Sequence, residues 1–221
     1  MQRVITGIEQ QKKNSNRVNI YLDEEFAFGL HKYIAIGLKV GDVIDDTRIL
    51  QLQTEDSIEE TYQRGLRLLN FRARSEHEMR SRLQKYGYDE GVIEQAIVRL
   101  TEKGYLNDQQ FAEDWVENRT TFRPRGRTLL RLELQQKKLN KDQIESAIND
   151  LPDEAEMARK AAGKYCTKLK GLDEQTFKKR LYGFLSRRGF HYEDFKMIME
   201  EMWEESNPSN LLEKEVKNDE W

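Results

Sequence analysis

The chain is short of the residues that staple, break or anchor a fold. Its single cysteine, Cys166, excludes an internal disulfide, and its three histidines, His31, His77 and His191, form no cluster with zinc-ligand spacing. Only 3 Pro and 13 Gly interrupt 221 residues, which favours long continuous elements. No window approaches the ~20 apolar residues of a membrane-spanning helix, and the opening MQRVITGIEQ has no apolar signal-peptide core. A cytoplasmic protein is therefore expected. Catalytic signatures are missing as well: there is no G-x-x-x-x-G-K-[ST] loop, no G-x-S-x-G elbow and no acidic triplet with nuclease-like spacing. The acidic pairs Glu24-Glu25, Asp45-Asp46 and Glu55-Asp56 fall in predicted turns, where solvation accounts for them. His77 reads as a surface helix residue and Cys166, at helical spacing with Ala162 and Leu169, as a small core residue. No enzyme, no cofactor and no metal are expected.

What the chain has in quantity is charge. Charged residues make up 35% and hydrophobic ones only 37%, a supply that suits thin packing better than one thick globule. The net charge of −3 is unevenly spread: residues 1–60 carry 7 basic and 11 acidic side chains, residues 61–199 carry 28 and 21, and residues 200–221 carry 2 and 8. A basic body thus lies between acidic ends.

The first 30 residues read as short strands. Val18, Ile20 and Leu22 alternate with Asn19, Tyr21 and Asp23, the period of a half-buried strand, and KKNSN and DEE are hairpin loops between VITGI, RVNIYL and FAFGL. The expected N-terminal unit is a small three-stranded meander with a further short extended piece near KVGDVID, covering residues 1–53. A linker is expected at residues 54–57, with helix beyond it.

An internal repeat organises the rest. Met79, Leu83, Gly87, Tyr88, Ile93, Ala96, Ile97 and Leu100 align with Leu130, Leu134, Lys138, Leu139, Ile144, Ala147, Ile148 and Leu151, each 51 residues later. A second step of 51 reaches Leu181, Leu185, Gly189, Phe190, Phe195, Ile198, Met199 and Met202. Each copy holds three helices. In the first, Ile58, Tyr62, Leu66 and Leu69 recur at helical spacing, Ser75 and Glu78 form an S-x-x-E capping box, Gly87 ends the second helix and Asp89 caps the third. The fold class expected is mostly α: an elongated array of three tandem three-helix repeats at residues 58–107, 108–152 and 153–205, preceded by the β-rich unit and followed by an acidic tail at 206–221.

Two local features bear on function. Gly104-Tyr105-Leu106-Asn107-Asp108 reads as a joint between repeats: Gly104 ends one helix, Tyr105 and Leu106 drop back onto the bundle, Asn107 or Asp108 caps the next, and Phe111 packs inward. Between Arg119 and Lys141 stand eight basic side chains (Arg119, Arg123, Arg125, Arg127, Arg131, Lys137, Lys138, Lys141) with Glu133 as the one acid among them. Arg123, Arg125 and Arg127 flank a turn entering a helix, and Arg72 and Arg74 occupy the matching turn of the first copy.

The run Arg72-x-Arg74-Ser75-x-x-Glu78-Met79, with Leu83, Gly87, the GYLND joint, Phe111-Ala112 and Arg119, resembles the RecX family of RecA regulators. The resemblance is strongest over residues 58–151 and departs from the family pattern at Met79, which replaces a Leu, and at Lys138, which replaces a Gly. It implies a non-enzymatic regulator that lies in the groove of the RecA filament on single-stranded DNA, contacts more than one protomer and suppresses ATP hydrolysis and strand exchange. Arg72, Arg74, Arg119, Arg123, Arg125, Arg127 and Arg131 are the expected partner contacts, with a monomeric chain and no membrane contact. The alternatives are direct single- or double-stranded DNA binding through the same arginines, and a helical scaffold for an unrelated acidic protein.

The tail makes the first prediction. Residues 206–221 contain Pro208 and one short apolar pair, Leu211 and Leu212, too little to dock firmly. Deleting them is expected to leave the circular dichroism spectrum and melting midpoint unchanged and to leave or raise affinity for an anionic partner, most visibly at low salt. Loss of folding, or markedly weaker binding, would show the tail to be a docked element.

Overall fold

The structure is a computed structural model that describes residues 1–207. The expected acidic tail lies outside the described residues from position 208 onward. The chain forms two compact units, divided between Asn107 and Asp108.

The first unit opens with four antiparallel strands, β1 (Gln2–Gln11), β2 (Asn14–Leu22), β3 (Glu25–His31) and β4 (Val43–Asp45), in the order β3-β2-β1-β4. The predicted period of β2 holds: Val18, Ile20 and Leu22 face a core with Ile5, Phe28, Leu30 and Ile44. The β2–β3 turn places two non-glycine residues, Asp23 (φ 50°) and Glu24 (φ 71°), in the left-handed region. Asp23 offsets that strain, because its carboxylate accepts hydrogen bonds from the Val4 N–H (3.0 Å) and Arg3 Nε (2.9 Å). These bonds, the backbone one foremost, hold its pKa below the ordinary Asp range.

Residues 54–57 are not a linker. They lie inside α1 (Asp46–Phe71), a 26-residue helix that begins where β4 ends. The Thr-Glu-Asp-Ser composition suggested a turn, but tertiary contacts decide otherwise, since Asp56 points at the sheet and accepts from Arg17 Nη2 (2.6 Å) and the His31 N–H. One helix therefore serves two cores. Leu52 packs under the sheet, while Tyr62 and Leu68 pack against α2 (Glu76–Gln84) and α3 (Glu90–Glu102) with Met79, Leu83, Ile93 and Leu100. Buried Glu59, one turn beyond Asp56, pairs with Arg99 of α3 and accepts from Gln63 Nε2 (2.8 Å). Ser75 caps α2 by accepting the Glu78 N–H (3.3 Å). Asp89 stands at the N-cap of α3, but its side chain makes no capping hydrogen bond.

The second unit holds α4 (Asp108–Phe122), α5 (Arg127–Gln136) and α6 (Lys141–Asn149), then α7 (Glu154–Cys166), α8 (Glu174–Ser186) and α9 (Tyr192–Ser206). Two small cores result, one around Phe111, Leu130, Leu134 and Ile148, the other around Ala162, Phe177, Leu181 and Phe195. Cys166 is buried in the latter, where desolvation pushes its thiol pKa up to about 11.

The 51-residue register extends to the backbone. Gly87 (φ 86°), Lys138 (φ 62°) and Gly189 (φ 82°), aligned in sequence, all adopt the left-handed conformation after the second helix of their repeat. At Lys138 and Gly189 the ladder is that of a Schellman motif: the N–H of each bonds back three residues (2.9 and 3.0 Å), and the next residue, Leu139 or Phe190, bonds back five (3.3 Å each) and buries its side chain. Lys138 therefore adopts a conformation that costs a non-glycine residue about 1 kcal/mol. Within this unit the two repeats meet backbone to backbone. The Gly126 N–H donates to the Arg188 carbonyl (2.9 Å), and a Cβ added at Gly126 would stand 2.2 Å from the Gly189 carbonyl oxygen.

Two predictions follow from these positions. Lys138→Gly is expected to raise stability by about 1 kcal/mol and Gly126→Ala to lower it by more than that, read as denaturant midpoints; equal midpoints for all three chains would refute both assignments. The second concerns Glu59. Burial pushes its carboxyl up, but hydrogen bonds from Gln63 and Arg99 and the charge of Arg99 outweigh this, leaving the pKa below the ordinary Glu value of 4.5. Because the folded value is the lower one, the contribution is fully present above pH 4.5 and is lost as pH falls through the folded value. Glu59→Gln should cost about 1–3 kcal/mol at pH 7, with the gap to the parent narrowing on acidification. A gap that does not change with pH would mean that Glu59 is not an ionised tie.

Candidate interaction site

The seven arginines expected to contact a partner divide into inward and outward groups. Glu133 on α5 gathers several neighbours: it pairs with Arg119 Nε (3.3 Å) and with Arg125, and accepts from Trp115 Nε1 (2.8 Å). The Arg119 guanidinium lies 4.1 Å from the Trp115 ring centroid, so its charge is held between ring and carboxylate. Arg125 is desolvated and crowded by Arg119, Arg188 and Arg123, which pulls its pKa down. Arg127 ties the second repeat to the third. Its backbone N–H (3.0 Å) and Nη1 (3.2 Å) donate to Glu154, and its Nη2 donates to the Leu151 carbonyl (2.6 Å). Burial raises the Glu154 pKa against those bonds. Arg131 makes a two-point contact with Glu145 (2.8 and 3.0 Å), whose hydrogen bonding raises the Arg131 pKa and lowers that of Glu145.

In the first unit Arg74 turns inward, its Nε donating to the Leu68 carbonyl (3.3 Å), and desolvation foremost lowers its pKa. Arg72 stays half exposed and pairs with Glu78 (2.8 Å). Arg123 differs from the rest, since it is exposed and has no carboxylate partner among the described residues.

The GYLND joint is built as expected with one correction. Gly104 (φ 73°) ends α3, the Gly104 and Tyr105 N–H groups bond back to Thr101 and Leu100 (2.9 Å each), and Leu106 is buried in the first three-helix core. Asp108 starts α4 and Phe111 is buried in the second core. Tyr105 does not drop back: it is 56% exposed, and the place against the first core is taken by Leu106, whose N–H also bonds back to the Leu100 carbonyl (3.3 Å).

Arg123 opens onto a cleft of about 170 Å³ inside the second unit. The cleft lies between the Phe122–Pro124 turn, one face of α7 and the end of α8, and among the described residues its lining includes Arg123, Lys160, Lys164, Lys168 and Arg188 but no acidic residue. Its aromatic wall is a stacked pair, Tyr165 and Phe184, with centroids 3.9 Å apart and planes 3° from parallel. The Arg188 guanidinium lies 4.4 Å from the Phe184 centroid and donates to the Pro124 carbonyl (3.2 Å). Desolvation, with Arg123 adding to it, lowers the Arg188 pKa. Five cations around a concave surface focus a positive field that attracts carboxylates or phosphates. The expected set contained Arg123 but missed Lys160 and Lys164, whose spacing of four puts them on one face of α7, and Lys168, which stands two residues beyond the end of that helix. That signal was readable, although the opposing turn that closes the cleft was not.

Comparisons with known proteins agree with this architecture throughout the described chain. Four family models match in tandem: the regulatory protein RecX N-terminal domain at residues 3–45, and the first, second and third RecX three-helix domains at 62–100, 107–148 and 152–199. A regulatory protein RecX of Bacillus velezensis is 31% identical over 213 residues, covering 95% of this chain and 81% of the relative. One from Clostridium botulinum is 32% identical over 203 residues, covering 89% and 95%. A crystal structure of regulatory protein RecX superposes with a TM-score of 0.74 at 26% identity, covering 90% of this chain and 99% of that one. The sheet, the three-helix bundles and the 51-residue register of the described residues together with these matches lead to one conclusion: the chain belongs to the RecX family of regulatory proteins.

Proposed function

We propose that this chain binds RecA in its filament on single-stranded DNA and lowers ATP hydrolysis and strand exchange, acting as a cytoplasmic monomer in recombination and repair. Family membership supports a regulatory role. The observation that carries the electrostatic part is the cleft lined by Arg123, Lys160, Lys164, Lys168 and Arg188 with no acidic residue among the described ones. Such a surface suits a partner rich in carboxylates, and among the described residues its cations have no carboxylate partner. Arg119, Arg125, Arg127 and Arg131 act one step back, holding the helices that present it.

A second reading has an observation of its own. Phe122 is exposed at the rim of the cleft, and cations beside aromatic rings also suit a single-stranded nucleic acid. Salt separates the two, because a phosphate-dominated complex loses affinity with a log–log slope of about −0.7 per contacted phosphate.

The test is RecA ATPase on single-stranded DNA with substoichiometric amounts of this chain. ATPase activity is expected to fall, and an unchanged rate at equimolar chain would refute the proposal. Arg123→Glu combined with Lys164→Glu should weaken the effect by tenfold or more with an unchanged melting midpoint, since exposed unpaired charges add little to stability. Arg127→Ala should instead cost about 1–3 kcal/mol of stability, because it strands the largely shielded Glu154 carboxylate.

A further inference from the structure

The turn that carries Arg123 has little support of its own. In the first unit Ser75 caps α2 with its hydroxyl, whereas Gly126, the N-cap of α5, makes no side-chain cap. Pro124 and Gly126 are nevertheless buried, and buried backbone groups need partners. Both find one in Arg188, which stands 64 residues beyond Pro124 in the chain. Its carbonyl accepts the Gly126 N–H (2.9 Å), and its Nη1 donates to the Pro124 carbonyl (3.2 Å). One residue of the third repeat thus grips the turn of the second at two points.

Arg188 is itself firmly seated. It follows α8 where the Gly189 N–H bonds back to Ser186 (3.0 Å) and the Phe190 N–H to Leu185 (3.3 Å), with the Phe190 side chain buried beneath. Its guanidinium lies 4.4 Å from the Phe184 centroid, and Phe184 stacks on Tyr165 of α7 at 3.9 Å. A Cβ at Gly126 would strike the Gly189 carbonyl, so the two backbones leave no slack beside the grip.

The placement is unfavourable for a charge as such. Arg188 is desolvated with Arg123 as the neighbouring cation, and both lower its pKa, desolvation foremost. A side chain kept for its charge alone would gain by moving into water. What position 188 uses instead is a planar fork that lies over a ring while donating sideways to a carbonyl, which a guanidinium supplies and an ammonium does not.

We propose that Arg188 is the positioning residue of the cleft: it acts on the partner through the turn it grips, holding Arg123 at the rim, rather than as one more positive charge. The inference rests on the reading of this chain as a RecA-filament regulator through that cleft and adds which residue sets its geometry. Arg123 is exposed and makes the contact. Arg188 fixes where that contact stands, which lowers the ordering cost of binding.

The experiment measures binding of the fluorescently labelled full-length chain to RecA filaments on single-stranded DNA for the parent, Arg188→Lys, Arg188→Gln, Arg123→Gln, and Arg123→Gln combined with Arg188→Lys. Arg188→Lys keeps every charge of the cleft, yet it is expected to weaken binding about fivefold, the scale of one lost hydrogen bond, and nearly as much as Arg188→Gln does. In the Arg123→Gln background the same change should cost less than about twofold, because a residue that acts through Arg123 then has nothing left to position. General destabilisation would instead recur undiminished in that background. Amide hydrogen exchange of the free chain reads the grip without RecA: the Gly126 N–H should exchange about tenfold faster in Arg188→Lys, with the core of the first unit unchanged. Arg188→Lys binding at the parent's affinity, equal losses in the two backgrounds, or unchanged exchange at Gly126 would each overturn the proposal. A parent chain that fails to bind the filament sinks the functional reading and this inference with it, whereas a parent that binds while Arg188→Lys equals it sinks this inference alone.

Discussion

Small cores in a highly charged chain need joining, and four carboxylates supply it. Asp56 joins the sheet to α1 through Arg17 and the His31 N–H, and Glu59 joins α1 to α3 through Arg99. Glu133 joins α4, the Pro124 turn and α5 through Arg119, Trp115 and Arg125, and Glu154 joins the second repeat to the third through Arg127. All four side chains are largely shielded from water, where a carboxylate is tolerated only with its hydrogen bonds satisfied and where removing one partner strands the other. Salt therefore screens these contacts less than it screens surface pairs. Each tie also fixes the position of elements whose apolar contact alone is thin.

The same ties sort the basic residues into two populations. Eight basic side chains stand between Arg119 and Lys141 in the sequence with Glu133 as the one acid among them. Four of the arginines answer internal carboxylates, and their charge is largely neutralised before a partner arrives. The concave positive surface of the second unit is formed instead by Arg123 with Lys160 and Lys164 of α7, Lys168 just beyond that helix and Arg188 after α8, which lie 37 residues or more further along the chain. Charge density along a sequence and charge density on a surface are different quantities, because ion pairing subtracts from the first before the second is formed.

Repetition explains what is shared among the three bundles, and its lapses mark what is special. All three copies keep the left-handed residue after their second helix, even where Lys138 adopts it at a cost. Only the meeting of the second and third repeats demands Gly126, whose backbone passes against Gly189 too closely for a side chain. The first two copies end their first helix on an exposed phenylalanine, Phe71 and Phe122, whereas the position matching them in the third is the N-cap Asp173. Folding preserves the first kind of position in every copy, while the second and third kinds depend on what each repeat meets.

Much of this was legible in the amino-acid order. The alternation of Val18, Ile20 and Leu22, the 51-residue spacing of core residues and the glycines after the helices specify the sheet, the three bundles and their helix ends, because each is a local pattern set by backbone geometry. The continuity of α1 was not legible. Its Thr-Glu-Asp-Ser stretch has turn-like composition, and only Asp56 reaching Arg17 and the His31 N–H makes helix the better state there. The exposure of Tyr105, the pairing of Arg127 with Glu154 and the union of Arg123 with Lys160, Lys164 and Lys168 in one cleft were likewise decided by tertiary structure. A side chain's partner depends on which distant elements pack beside it, and that distance in sequence leaves no local period to read.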